Sequence, residues 1–150
     1  MLKIKHMKKI ITSVLLFGVV AFTNSLFAQE LSGEKMKVFQ TDNIENIKKV
    51  FDKDDFTKCF GIKDVSYNLL SLSARFNRTN VINYLLANKT NVNKTCSDTT
   101  PLMYAAKYGY TDLVKLFLEK GAKKDLKDNN GNTAKDHAIK NNHPETAALL

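Results

Sequence analysis

The side chains of this sequence that could do chemistry are few. Two cysteines, Cys59 and Cys96, could bond or cycle redox. Of the three histidines, His137 and His143 lie close to Asp136 and Glu145, a mixture that could hold a divalent metal. The spacing supports neither redox nor metal chemistry. No C-x-x-C pair occurs, and the histidine segment lacks the Cys/His ligand spacing of a metal site. No G-x-S-x-G elbow, phosphate-cradling glycine loop, H-E-x-x-H helix or recognisable frame of paired carboxylates is present. No catalytic, cofactor-binding or metal-ligating residues are assigned, so the sequence reads as a non-enzyme without a cofactor.

The 150 residues allow one modest domain. A hydrophobic content of 43% suffices for a packed core, and two cysteines are too few for a disulfide-dense mini-protein. The formal net charge is +8, but residues 1–28 hold Lys3, Lys5, Lys8 and Lys9 and no acid, leaving +4 for the rest. So small a charge supplies few phosphate contacts and argues against nucleic-acid binding. Residues 1–28 read as a secretory signal. A basic start precedes an apolar run from Ile10 to Phe22, then Thr23-Asn24-Ser25, and then Leu26-Phe27-Ala28 before Gln29. Cleavage is expected after Ala28, because the apolar run reaches about 20 Å as a helix against roughly 30 Å of hydrocarbon core. The remainder, residues 29–150, is expected to be exported, either periplasmic or secreted, with no membrane span.

Sliding the chain against itself shows what would position its side chains. The clearest unit runs from Thr100 to Leu118. Moved forward by 33, it places Thr100 on Thr133, Ala105 on Ala138, Lys107 on Lys140 and Leu116 on Leu149. Moved back by 32, it places Leu102 on Leu70, Ala106 on Ala74, Lys107 on Arg75, Tyr108 on Phe76 and Val114 on Ile82. A fainter copy spans Asp42 to Phe51, where Ile47 matches Val114. Within a unit, Thr100 is suited to cap a helix and Pro101 to begin it. Leu102, Ala105 and Ala106 make an apolar stripe, and Gly109 ends the helix. Leu113 to Leu118 form a second apolar face that Gly121 terminates, and Asn130-Gly131 suits a tight turn.

At these residues the chain resembles the ankyrin repeat family. Thr100-Pro101-Leu102-Met103-Tyr104-Ala105-Ala106 follows its T-P-L-H-x-A-A pattern, and Gly121-Ala122 with Asp128 and Gly131 follows its loop. The resemblance implies an all-α solenoid of three to four helix-turn-helix repeats, roughly 34–67, 68–99, 100–132 and 133–150, with the terminal units degenerate. In 34–67 only the second helix is recognisable. Met103 replaces the motif's histidine, so the network at that repeat junction is expected to be lost or altered. Lys135 stands where the pattern wants a buried leucine, which predicts a frayed, solvent-facing last unit.

The repeat register puts Cys59 and Cys96 in adjacent loops. In an oxidising compartment a disulfide is the expected outcome, with two free thiols as the alternative. His143 falls on the Tyr110 position, where the family often carries a structural histidine, and His137 on the exposed Tyr104 position. The resemblance implies a protein-binding module that works through a concave first-helix face and its turn tips. Aligned first-helix residues give the pairs Arg75-Phe76, Lys107-Tyr108 and Lys140-Asn141, beside a parallel row of Leu72, Tyr104 and His137. Basic and aromatic neighbours suit a partner bearing carboxylates and an apolar bump. The turn tips add Thr95, Ser97, Lys127, Asn129 and Asn130. The expected partner is a protein met by a monomer. Small exported bacterial proteins of this kind are associated with inhibiting or protecting a partner; a secreted effector acting on host proteins is the alternative.

Overall fold

The structure, a computed structural model, describes residues 29–150. The expected signal over residues 1–28, and the expected cut after Ala28, lie outside the described residues. Strand β1 (Gln29–Glu30) is followed by α1 (Gly33–Gln40), α2 (Ile44–Val50) and a 3-10 turn (Asp54–Thr57). Strands β2 (Phe60–Ile62) and β3 (Val65–Tyr67) come next. The remaining helices are α3 (Leu69–Arg75), α4 (Thr79–Ala87), α5 (Pro101–Lys107), α6 (Thr111–Glu119), α7 (Ala134–Lys140) and α8 (Pro144–Ala147).

The same local devices recur in all four helix pairs. Ser32, Asn68, Thr100 and Thr133 each cap a first helix, the side chain accepting from the amide three residues on. Each first helix then ends at a left-handed residue: Asp42 (φ 51°), Asn77 (φ 52°), Gly109 (φ 68°) and Asn142 (φ 60°). Asparagine and aspartate tolerate this region better than other side chains, and glycine enters it freely. One buried row, Ile47, Ile82, Val114 and Ala147, runs through the second helices. The first unit is therefore also a capped helix pair, and α1 is the half that sequence similarity did not reveal.

First helices pack in order, α3 on α5 and α5 on α7, while α2 lies against α4 and α6 against α8. Ala105 and Ala138 are fully buried, letting the backbones approach. This mostly helical arrangement fits a helical repeat solenoid.

Three strands depart from the all-helical expectation. β2 and β3 form an antiparallel hairpin pairing Phe60 with Tyr67 and Ile62 with Val65, and β1 lies parallel to β2. The first two caps, Ser32 and Asn68, stand further apart than the later ones, and the hairpin lies in that longer connection. Phe60, Ile62, Val65 and Tyr67 alternate about Lys63-Asp64, a hairpin pattern the repeat alignment passed over.

At Met103 the side chain closes a local cap. Thr100 N–H donates to its Sδ at 3.4 Å, and Thr100 Oγ1 accepts from its amide at 3.1 Å. In the last unit Asp136 plays the same part, accepting from the Thr133 amide at 2.8 Å and the Thr133 hydroxyl at 2.7 Å. Lys135 and Ile139, which align with buried Leu102 and Ala106, are both exposed. The last unit's outer face is open, and its second helix is the shortest.

Candidate protein-binding surface

The ends of the first helices bring the predicted pairs into one row. Arg75, Lys107 and Lys140 are the last residues of α3, α5 and α7, and Phe76, Tyr108 and Asn141 cap them. Phe76 is 44% and Tyr108 37% exposed, large values for rings in a folded domain. Tyr108 stacks on Tyr110 with centroids 5.9 Å apart, and Lys107 Nζ lies 6.0 Å from the Tyr108 ring. Arg75 lies 5.4 Å from the Tyr67 ring and 5.5 Å from the Phe76 ring, and donates to the Tyr67 hydroxyl. Basic groups at helix C-termini also complement the helix dipole.

The parallel row behaves differently from the exposed, partner-facing row that the register implies. Leu72 is fully buried, Tyr104 is buried, and the His137 side chain is only 15% exposed. Close to one turn before the exposed caps, these side chains point into the junctions between units. Tyr104 packs on Tyr67 at 5.6 Å, and burial, then the neighbouring Tyr67, pushes its hydroxyl pKa far upward. His137 Nε2 meets Asp128 Oδ2 at 2.9 Å. These three residues brace the surface rather than present it.

The turn tips are exposed at Ser97, Lys127, Asn129 and Asn130, while Thr95 is half-buried. Adjacent tips are tied together. Ser97 Oγ accepts from the Ser66 amide at 3.2 Å and donates to its carbonyl at 3.1 Å, and the Asn129 amide donates to Asp98 at 2.9 Å. Asp128 organises the last loop. Burial opposes its charge, but donors from Asn132, His137 and Asn130 outweigh this and hold its pKa below the ordinary carboxylate value. Lys140 donates to Asn132.

Cys59 and Cys96 lie at disulfide-bonding distance, with Cα atoms 5.5 Å apart, fixing the segment before β2 to the loop after α4. Just before it, buried Asp55 accepts from Lys35 at 2.9 Å and Lys58 at 2.8 Å. Burial raises its pKa, and the two lysines more than reverse that, leaving it lowered. The histidines do not converge. His143 sits over Gly109, where an added Cβ would lie 2.5 Å from its Nδ1. Among the described residues no three His, Cys, Asp or Glu side chains gather as a metal would need.

Beside the row lies a groove of about 390 Å³ between α1, the hairpin and α3. Met36, Ile62, Val65 and Phe76 contribute to its lining with Leu72 and Tyr67, and Lys63, Asp64 and Arg75 complete it. The sequence reading found only its α3 side. Asp42 was also missed: its carboxylate accepts from the Val81 and Asn80 amides at 3.0 and 3.3 Å, capping α4, which has no capping side chain of its own.

Among the described residues no helix is long and apolar enough to cross a membrane. The chain is 36% identical over 90 residues to the E3 ubiquitin-protein ligase hecd-1 of Caenorhabditis elegans, and 34% identical over 90 residues to the E3 ubiquitin-protein ligase Ufd4 of Drosophila melanogaster. Each match covers 58% of this chain but only 3% of the ligase, so the likeness concerns a small part of those proteins. A family model of ankyrin repeats, three copies long, matches residues 45–150. Such repeats are generally protein–protein interaction modules and typically not enzymes. On that match and on its recurring capped helix pairs, the chain belongs to the ankyrin repeat family.

Proposed function

We propose that this chain is a non-enzymatic module of an exported compartment that binds another protein through its first-helix row and turn tips, as a monomer, and inhibits or protects that partner. The observation that carries the reading is the exposed aromatic pair Phe76 and Tyr108, each beside a cation, Arg75 and Lys107, at equivalent positions of successive repeats. Large rings with a polar or cationic neighbour are the side-chain types that dominate binding energy at interfaces. What supports export is the basic and apolar character of residues 1–28, together with the placing of Cys59 and Cys96 at disulfide distance.

The test is capture from an exported-protein extract with the chain lacking residues 1–28, followed by stoichiometry of what is retained. A partner held in fixed ratio and released by Phe76→Ala with Tyr108→Ala is the expected result. Retention that survives both substitutions would refute the surface. Finding the native protein within the cytoplasm, still carrying residues 1–28, would refute the compartment.

A further inference from the structure

We infer that the groove between α1, the β2–β3 hairpin and α3 receives a large apolar side chain of an acidic partner segment, whose carboxylate is taken by Arg75. This rests on the protein-binding reading above and gives that partner a chemistry.

The groove's volume, about 390 Å³, is ample for a leucine, methionine or phenylalanine side chain. Ile62 and Leu72 are among the apolar residues lining it, and Val65 and Phe76, also in the lining, are exposed. Two cations, Lys63 and Arg75, face one acid, Asp64. Arg75 is held in place by the Tyr67 hydroxyl and by the rings of Tyr67 and Phe76. Most of its N–H donors are left for a carboxylate, which a planar guanidinium grips with two parallel bonds. Among the described residues neither Arg75 nor Lys63 has a salt-bridge partner, and Lys107 and Lys140, next along the row, have none either. The helix dipole accounts for cations at helix ends. It does not account for an exposed phenylalanine in the lining of an apolar groove, and charge complementarity along the row selects an acidic occupant.

The test is selection of a random linear peptide library on the folded, disulfide-bonded chain. Enriched peptides should share one Leu, Met or Phe with Glu or Asp within three positions. Changing that acid to its amide should weaken binding to the unaltered chain about ten-fold, yet change little on Arg75→Gln, and Phe76→Ala should weaken every enriched peptide about ten-fold. Val65→Asp gives a second perturbation, of the hairpin wall, and should weaken them likewise; thermal melts of each variant show that the domain still folds. Peptides rich in Lys or Arg, no enrichment, or equal loss on both proteins when the acid is removed would each overturn the assignment. So would sedimentation showing a dimer that Phe76→Ala dissociates, since the groove would then belong to a second copy. A native partner released by Phe76→Ala with Tyr108→Ala, alongside a failed selection, would sink the groove and leave the proposed function standing.

Discussion

Removing the cystine should unseat one end of the array and leave the other in place. Cys59 and Cys96 are 37 positions apart, and closing a loop of that size removes about 4 kcal/mol of unfolded-chain entropy at 25 °C. A domain of this length loses about 0.26 kcal/mol of stability per degree near its midpoint, so Cys59→Ser with Cys96→Ser should melt about 15 °C lower. The loss has an address. The bond joins the segment before β2 to the loop after α4, where Ser97 and Ser66 exchange two hydrogen bonds. Repeats touch only their neighbours, so the hairpin and the α1–α2 pair should open first. Hydrogen exchange with mass-spectrometric readout tests this: peptides covering 56–67 should lose protection in the variant while those covering α5 and α7 keep theirs. A melting shift under about 4 °C, or a loss of protection spread evenly along the chain, would refute the reasoning.

Gly109 and Gly121 offer a matched pair. Both have positive φ, but only at Gly109 does an added Cβ strike a neighbour, the His143 ring. Urea unfolding should show a loss of about 1 kcal/mol for Gly121→Ala and about 3 kcal/mol for Gly109→Ala; equal losses would contradict the packing of His143. Acid should also weaken the domain. The carboxyls of Asp55 and Asp128 have lowered pKa values in the folded chain, so their stabilisation is complete above the unfolded value of about 3.9 and is lost as pH falls through the lower folded values. Urea midpoints measured from pH 6 down to pH 2 should fall most steeply below pH 4, and less steeply in Asp55→Asn and Asp128→Asn; unchanged slopes would show that the two networks carry no linkage.

Much of the fold was legible because the repeat writes each element more than once. Thr100 and Thr133 announce their own caps, Gly109 and Gly121 their helix ends, and the spacing of Leu102, Ala105 and Ala106 its buried stripe. The first unit resisted because it performs the same tasks with different residues. There Ser32 caps where threonine stands later, and Asp42 takes the left-handed position that glycine marks at 109. A search for matching letters misses substitutions that keep the backbone geometry. The surface row was half legible. Arg75, Phe76, Lys107 and Tyr108 could be placed by register, but register alone cannot tell an outward position from its neighbour one helical turn away. Leu72 and Tyr104 therefore read as contacts and proved to be bracing. The groove wall went unseen because the hairpin, in a cap-to-cap connection three to four residues longer than its later counterparts, stands where those later loops form no strands.

The most direct measurement is a hydrogen-exchange comparison of the chain alone and bound to the protein it captures. Protection gained over 61–66, 75–77 and 107–109, with the outer faces of α4 and α6 unchanged, is what the account predicts. Protection confined to α4, α6 or residues 120–125 would contradict it.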